Sequence, residues 1–239
     1  MVSMEKYDII IDEVASYTDE VILFHSAAGK DSIVLCDMLA KKFRRVVCVF
    51  MYTVKDLEQA AIYMKWASNK YPNVEWLQMP IYSKASHIRT GFMGHWMNPK
   101  QKDVSLQDCI ELARRKTGIK WVCLGMKKSD GMNRRLMLGT YKNQGIYMEG
   151  FKFFPLSEYK NQFCINYLLE KNLMMPLTYG GKGNPSSGMA VGSPAFLLWT
   201  KKNYPQDYEK IRNEYPLVDA FVFKYEKMYN EADRNNRAH

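Results

Sequence analysis

A short loop of small and polar residues, Ser26–Ser32 (SAAGKDS), has the side chains that could bind phosphate. Its small residues would let a polyphosphate approach the backbone closely, and Gly29 could adopt a positive φ that turns N–H groups toward one anion. Lys30 adds a positive charge, and the two serines add hydroxyl donors. The predicted nucleotide-binding residues of this loop are Ser26, Ala27, Ala28, Gly29, Lys30, Asp31 and Ser32.

Asp31 needs a separate explanation, because a carboxylate beside a phosphate would repel it. It could cap the N-terminus of the helix that follows, or it could hold a Mg²⁺ ion that bridges to the phosphates. Capping is the favoured single role, and the two roles are compatible. Asp31 is therefore also the predicted metal-binding residue.

A second charged segment, Gly125–Arg134 (GMKKSDGMNR), follows the apolar run Trp121–Leu124. If that run is a strand of the same parallel sheet, Lys127 and Arg134 should emerge at the sheet edge that carries the first loop. There they could neutralise an α-phosphate or a second anion such as sulfate. A solvated basic loop is the alternative, and we favour the site. The candidate catalytic residues are Lys30, Lys127 and Arg134, and Gly125 joins the nucleotide-binding set.

The elements that would position these residues alternate between strand and helix. Uninterrupted apolar runs predict buried strands, and apolar residues at helical spacing predict helices. The predicted strands are Val21–Phe24, Val46–Met51, Val74–Met79 and Trp121–Leu124, and the predicted helices are Asp8–Ser16, Asp31–Lys41, Lys55–Lys70 and Ser105–Thr117. This order predicts an α/β fold, a doubly wound, Rossmann-like parallel sheet with helices on both faces.

The sequence pattern changes after about Gly139. Further helices are predicted at Tyr159–Asn172, Ala195–Asn203, Pro205–Glu214 and Val218–Asn230. The Gly-, Pro- and Ser-rich stretch Tyr179–Gly188 could be a lid over the nucleotide or a plain loop. We predict an α/β nucleotide-binding core over residues 1–150 and a helical extension, packed on that core, over residues 151–239.

Known phosphate loops narrow the interpretation of the first loop. A Walker A loop needs GxxxxGK[ST], but Phe24 stands at its first glycine position and an aspartate follows the lysine. The GxGxxG pattern is absent. The loop instead resembles the SGGKDS signature of the PP-loop superfamily, with its HUP-type core. Gly29–Ser32 match that signature, whereas the two preceding alanines replace its serine and first glycine.

Three later segments are similar to the phosphoadenylyl-sulfate reductase and ATP sulfurylase small-subunit branch of that superfamily. Gly125–Arg134 resembles the pattern G-x-R-x-x-E-S-x-x-R, with Lys127 in place of the first Arg and Arg134 in agreement. Phe154–Leu156 is similar to W-x-P-L, and residues 172–179 are similar to N-L-P-x-x-P-L-Y. The three matches occur in the order found in the family.

The resemblance implies an enzyme that binds an adenine nucleotide, and the residues favour one reaction. A loop that holds the β- and γ-phosphates of ATP leaves the α-phosphorus open to attack. The expected activity is therefore Mg²⁺-dependent adenylyl transfer with release of pyrophosphate. The related reductases attack an adenylyl sulfate with a cysteine near the C-terminus, but no cysteine follows Cys164 and residues 187–193 contain none. We expect neither cysteine-dependent reduction nor an iron–sulfur cluster.

Two alternatives stay open. The chain could bind an adenylyl sulfate and act in sulfur metabolism, with a partner protein carrying out the reaction at sulfur. It could also be a nucleotide-binding or structural module without catalysis, which the alanines of the loop and the missing cysteine would suit. The acceptor substrate is unknown, and a homo-oligomer or a protein partner is compatible with the sequence.

Composition and charge limit the partners and the compartment. Lys and Arg number 34 against 25 Asp and Glu, which favours anionic partners and keeps nucleic acid open. The apolar runs are too short to cross a bilayer, and the N-terminus lacks an apolar leader, so we expect a cytoplasmic protein without membrane contact. The five cysteines form no CxxC pair and the four histidines no HxxxH motif. Reduced thiols and no zinc site are therefore expected.

Overall fold

The computed structural model describes residues 6–26, 29–177 and 191–226 of the 239-residue chain. The strands are β1 (Glu20–His25), β2 (Arg45–Tyr52), β3 (Val74–Pro80), β4 (Val122–Cys123), β5 (Ile146–Tyr147) and β6 (Lys152–Phe153). The helices are α1 (Lys6–Ala15), α2 (Lys30–Lys42), α3 (Glu58–Lys70), α4 (Lys84–Thr90), α5 (Leu106–Thr117), α6 (Met132–Gly139), α7 (Asn161–Glu170), α8 (Pro194–Asn203) and α9 (Pro205–Glu214). Residues 218–226 are also helical, and Phe92–Gly94 and Lys128–Asp130 form 3-10 turns.

The six strands form one sheet in the order β3-β2-β1-β4-β6-β5. β1 runs parallel to β2 and β4, β6 runs parallel to β4, and β5 runs antiparallel to β6. The predicted α/β fold with a doubly wound parallel sheet is confirmed. The chain adds β2 and β3 on one side of β1 and then returns to the other side with β4. The carboxyl ends of β1 and β4 therefore border the switch point, where open α/β sheets bind ligands.

The predicted strands are present, and their observed ends lie within one residue of the predicted ends. The observed start of α3 lies farther from its predicted start. Prediction placed that start at Lys55, but α3 begins at Glu58. The Asp207 carboxylate accepts hydrogen bonds from the backbone N–H groups of Glu58 (2.8 Å) and Gln59 (3.1 Å). A carboxylate distant in sequence thus caps the helix, and local spacing could not have shown this.

Chain contacts group the residues into two compact units. Unit 1 comprises the described residues of Met1–Met51, Ile62–Met79 and Gln107–Pro176. Its core consists of β1 and β2 together with the buried face of α2, which packs against α1 and α7. Continuous Val, Ile and Leu runs suit strands that are covered on both faces.

Unit 2 comprises the described residues of Tyr52–Ala61, Pro80–Leu106 and Leu177–His239. Its buried cluster includes Val54 and Leu57, which precede α3, and side chains of α8, α9 and the helix at 218–226. The predicted boundary between a core and an extension at residue 150 stays a prediction. None of the helices in the described ranges combines the length and apolar character that a membrane span requires.

Candidate functional site

The start of α2 follows the end of β1 directly, with Gly29 as the N-cap residue (φ −98°, ψ 130°). This φ is negative, so the expected positive φ was wrong. A Cβ atom at this position would collide with the Ser26 hydroxyl oxygen, so that hydroxyl would have to rotate away. Ala27 and Ala28, also predicted to bind nucleotide, lie outside the described residues.

Ser26 and Ser32 hold the two ends of the loop together. The Ser26 N–H donates to Ser32 Oγ (3.1 Å), and the two hydroxyl oxygens lie 3.2 Å apart. A Cβ atom at position 29 would disturb this contact, because it would displace the Ser26 hydroxyl. The two predicted phosphate donors therefore stand side by side at the mouth of the loop.

The N-terminus of α2 offers unpaired backbone donors. No side chain of the described residues caps it, and the first intrahelical bond runs from Ile33 N–H to the Gly29 carbonyl. The favoured capping role of Asp31 was wrong, since Gly29 is the N-cap and Asp31 lies inside the first turn. The N–H groups of residues 30–32 and the positive end of the helix dipole thus face the loop, an arrangement that binds anions.

Lys127, which follows β4, reaches this loop. Its Nζ forms an ion pair with Asp31 Oδ2. Lys30 Nζ lies 3.4 Å from the other carboxylate oxygen, Oδ1. Both lysines are buried, with Lys30 6% and Lys127 1% exposed. The structure therefore brings the two segments together at one sheet edge, as expected from the sequence, because β4 pairs directly with β1.

Arg134 lies on the outer side of the same group. Its Nη1 donates to Asp130 Oδ2 (2.7 Å), and Asp130 in turn lies 3.8 Å from Lys127 Nζ through Oδ1. Unlike the two lysines, Arg134 is half exposed. We call Lys30, Asp31, Lys127, Asp130 and Arg134 the charged cluster. It joins three cations to two carboxylates, so it carries an excess of positive charge.

Gly125, the remaining predicted residue, lies two residues after β4, next to α2. A Cβ atom there would lie 3.7 Å from Asp31 Cβ and 3.5 Å from Leu35 Cδ1, which is ordinary packing distance. The position therefore lies against the residue at the centre of the charged cluster. The contact places Gly125 at the site without requiring glycine for backbone strain.

Asp31 is held as a carboxylate. Burial acts to raise its pKa, but the hydrogen bond and charge of Lys127, with smaller effects of Cys164 and Lys30, bring the pKa below the usual value. One buried oxygen, Oδ1, has no hydrogen-bond partner among the described residues. This oxygen lies 3.4 Å from Lys30 Nζ, and a carboxylate oxygen is a ligand type that a hard cation such as Mg²⁺ accepts. The described ranges contain no group of three or more His, Cys, Asp and Glu side chains that could hold a metal ion, so the remaining ligands would be phosphate and water oxygens.

Cys164 of α7 is a neighbour of the site that sequence reasoning missed. Its side chain is fully buried in the packing of α7 on α2. Burial, with the adjacent negative charge of Asp31, raises the pKa of this thiol well above its usual value. Cys164 is therefore a protonated thiol at neutral pH. Only the packing of α7 on α2 reveals its position, since no motif includes it.

Two buried histidines, His25 and His95, have partners of their own. His25, at the end of β1, is buried and stacked on Tyr63, and burial lowers its pKa to about 3, so it is neutral. In unit 2, His95 Nδ1 lies 2.9 Å from the Trp96 carbonyl oxygen and Nε2 lies 3.5 Å from Glu214 Oε1. The possible lid, Tyr179–Gly188, lies outside the described residues.

Comparison with known protein families matches residues 21–182 to the phosphoadenosine phosphosulfate reductase domain. The chain belongs to this family. The match covers the first loop and the charged cluster, and it confirms the PP-loop resemblance of those segments. No curated protein matches the chain. Among solved structures, the chain is similar to the NH3-dependent NAD synthetase from Campylobacter jejuni subsp. jejuni NCTC 11168 in complex with the nitrate ion. The two sequences are 12% identical and the TM-score is 0.44. The match covers 90% of this chain and 93% of that chain.

Proposed function

We propose that this member of the phosphoadenosine phosphosulfate reductase domain family binds ATP at Ser26–Ser32 and catalyses adenylyl transfer with release of pyrophosphate. One observation carries the proposal: the charged cluster, with its excess of positive charge, lies beside the N-terminus of α2, where no side chain among the described residues caps the backbone. The excess charge and the free N–H groups favour a bound anion. Phosphate oxygens would accept hydrogen bonds from the free N–H groups and balance the positive charge of the cluster.

Different residues of the chain would bind different parts of the nucleotide. The N–H groups of residues 30–32, the paired hydroxyls of Ser26 and Ser32, and the buried ammonium of Lys30 would hold the leaving pyrophosphate. Asp31 Oδ1 would hold Mg²⁺, which neutralises charge on the phosphate oxygens when it is bound. Lys127 and Arg134, at the end of β4 and on α6, would stabilise the charge that develops at the α-phosphate.

The reaction needs no nucleophile from the protein. An oxygen of the acceptor substrate attacks the α-phosphorus, the bond from that phosphorus to the bridging oxygen breaks, and pyrophosphate leaves with the electron pair. Catalysis then comes from positioning and from charge stabilisation. The state of Cys164 supports this reaction, because a thiol whose pKa is raised by burial is a poor nucleophile at neutral pH.

A second candidate function is the binding of an adenylyl sulfate for sulfur chemistry completed by a partner protein. Family membership favours it, since the family is named for a reductase of such a compound. Arg134, half exposed and bound to a single carboxylate, would be the residue available to a sulfate or a second phosphate. The two candidates differ in the ligand that binds more tightly and in the products.

Calorimetry with ATP and with adenylyl sulfate, each with and without Mg²⁺, separates the candidates. We expect ATP with Mg²⁺ to bind best. Lys30→Ala should weaken that binding at least about 10-fold, because it removes one charge-assisted contact. Arg135→Ala is the matched control, because Arg135 neighbours Arg134 on α6 and is exposed. A clear preference for adenylyl sulfate would favour the second candidate.

Product analysis tests the reaction itself. ATP labelled at the α-phosphate should give labelled AMP or an adenylylated product, together with unlabelled pyrophosphate, when fractions of a small-molecule extract supply the acceptor. Persistent formation of ADP would rule out adenylyl transfer. Lys127→Met, which should lose product formation, shows whether the activity belongs to this site.

A further inference from the structure

Asp130 connects two cations of the charged cluster. Its Oδ2 accepts a hydrogen bond from Arg134 Nη1 (2.7 Å), and its Oδ1 lies 3.8 Å from Lys127 Nζ. The same Oδ2 also accepts a hydrogen bond from the backbone N–H of Lys127 (2.9 Å). One carboxylate therefore holds both the side chain of Arg134 and the backbone from which the side chain of Lys127 extends.

The local chain path brings Asp130 close to both residues. Asp130 ends the 3-10 turn that follows Lys127, and its own N–H donates to the Lys127 carbonyl (3.1 Å). Gly131 then connects this turn to α6, which carries Arg134 in its first turn, four residues after Asp130. The carboxylate thus lies at the junction of the turn and the helix, where it can bind a residue on each side.

The two cations differ in what holds them besides Asp130. Lys127 is buried and is also paired with Asp31. Arg134 is half exposed, and Asp130 is its only hydrogen-bond or ion-pair partner among the residues that the structure describes. The other N–H groups of its guanidinium are thus available to an anion, and a guanidinium can bind a phosphate or sulfate with two parallel hydrogen bonds. Loss of Asp130 would leave Lys127 paired with Asp31 but would release Arg134.

We propose that Asp130 is a positioning residue, whose carboxylate holds Arg134 beside Lys127 so that both cations bind the phosphates of one nucleotide. The inference rests on the proposed function, which assigns these two cations to the α-phosphate. A long arginine side chain loses rotamer freedom when it binds a ligand, and a carboxylate that already fixes it in the free protein lowers that entropic cost. Asp130 acts through the two cations and does not touch the nucleotide.

The sign of the effect distinguishes positioning from charge alone. A carboxylate near phosphates repels them, so Asp130→Ala would strengthen nucleotide binding if Asp130 contributed only its charge. Positioning predicts the opposite result. Asp130→Ala should weaken the binding of ATP with Mg²⁺ about 10-fold, as expected for residues that interact within one charged network. Asp130→Glu, which keeps the carboxylate, should recover part of the lost affinity.

Glu158→Gln is the matched control. Glu158 pairs with Lys128, in the same 3-10 turn, and with Lys6, so this variant also removes one negative charge next to the turn. It should lower thermal stability but leave the calorimetric affinity for ATP with Mg²⁺ unchanged. A loss of affinity equal to that of Asp130→Ala would show that the turn needs a carboxylate only for its fold, and would overturn the inference.

A double variant tests whether Asp130 acts through Arg134. When Arg134→Ala has already removed the positioned side chain, adding Asp130→Ala should weaken binding by less than about 3-fold. A full 10-fold loss in that background would contradict the proposed route. Unchanged or tighter binding in the single variant Asp130→Ala would also overturn the inference.

Hydrogen exchange tests the contact without a nucleotide. The Lys127 amide donates to Asp130 Oδ2, so its exchange should accelerate in Asp130→Ala and stay slow in Glu158→Gln. Unchanged exchange in Asp130→Ala would remove the contact on which the inference depends.

The proposed function and this inference fail in distinguishable ways. A wild-type protein that binds no adenine nucleotide, with or without Mg²⁺, removes the proposed function and the nucleotide-directed role of Asp130 together. A wild-type protein that binds ATP with Mg²⁺, and binds it no more weakly after Asp130→Ala, removes only the inference.

Discussion

Lys127 and Asp31 form an ion pair although 96 residues separate them in sequence. The pair joins the segment after β4 to the first turn of α2, two places that meet because β4 is hydrogen-bonded to β1. It also affects the charge at the site, since Asp31 is shared between Lys127 and Lys30, whose Nζ lies 3.4 Å from Oδ1. The ion pair is thus both a structural link and the centre of the charged cluster.

Lys127→Met should destabilise the protein and remove nucleotide binding. The lysine is buried, and breaking a buried ion pair typically costs roughly 3–5 kcal/mol; because Asp31 is partly solvated, we expect the lower end of that range. Urea denaturation gives the change in unfolding free energy. The double variant Lys127→Met with Asp31→Asn should lose clearly less than the two single variants added together. Additive losses would show that the two side chains do not interact.

Gly29→Ala should destabilise the loop because of space rather than backbone strain. The new Cβ would collide with the Ser26 hydroxyl oxygen, and overpacking of this kind typically costs about 1–3 kcal/mol. Removal of that hydroxyl in the double variant Ser26→Ala with Gly29→Ala should restore most of the stability, measured as the urea midpoint. If the double variant is no more stable than Gly29→Ala, the constraint at position 29 is not steric contact with Ser26.

Asp37→Asn should lower stability at neutral pH and remove part of the acid sensitivity of the fold. Burial acts to raise the pKa of Asp37, but hydrogen bonds from Lys41, Tyr71 and Tyr167 bring it below its usual value. The stabilisation is therefore present above the unfolded pKa of about 4 and is lost as the pH falls through the lower folded pKa. We expect a loss of roughly 2 kcal/mol at pH 7 for a carboxylate with charge-assisted hydrogen bonds.

The measurement for Asp37→Asn is the free energy of unfolding in urea between pH 3 and pH 7. The difference between wild type and variant should shrink as the pH falls below about 4, where the carboxylate begins to be protonated in the unfolded chain. Asp103→Asn, which changes an exposed aspartate paired only with Arg89 among the described residues, is the control. A difference that stays constant over this range would contradict the role of Asp37 as a stabilised carboxylate.

Asp207→Ala should loosen the beginning of α3. The carboxylate accepts from two backbone N–H groups there, and loss of a helix cap typically costs about 0.5–2 kcal/mol. Hydrogen exchange should accelerate at the amides of Glu58 and Gln59 and change less toward Lys70. Asp207→Asn keeps a single acceptor oxygen and should fall between wild type and Asp207→Ala. Unchanged exchange at both amides in Asp207→Ala would show that the helix start has another source of stability.

The parts of the fold that sequence reasoning found are those with strong local signals. β1 and β2 are uninterrupted apolar runs, and α9 begins with a proline and ends before Tyr215, so their bounds follow from neighbouring residues. The two-residue strands β5 and β6 were not predicted, because two residues show no periodicity. They exist through their pairing with each other and of β6 with β4.

The candidate site likewise has features that the local sequence predicts and features that it does not. Ser26–Ser32 could be identified as a phosphate loop because small residues, a lysine and hydroxyls next to a strand and a helix are a local pattern. That local pattern did not show the backbone conformation of Gly29, whose φ is negative. The position of Asp31 within the first turn, rather than at the cap, likewise depends on where α2 begins.

By itself, the sequence determined the order of strands and helices, the phosphate-binding loop and the family to which the chain belongs. Each is encoded in adjacent residues, through hydrophobic period, small side chains or a short motif. Tertiary structure decided which charges meet: the pairing of Lys127 with Asp31, the outer position of Arg134, and the approach of Cys164 to the carboxylate. These contacts arise from the order of strands in the sheet and the packing of α7 on α2, and residue spacing along the chain contains no record of either.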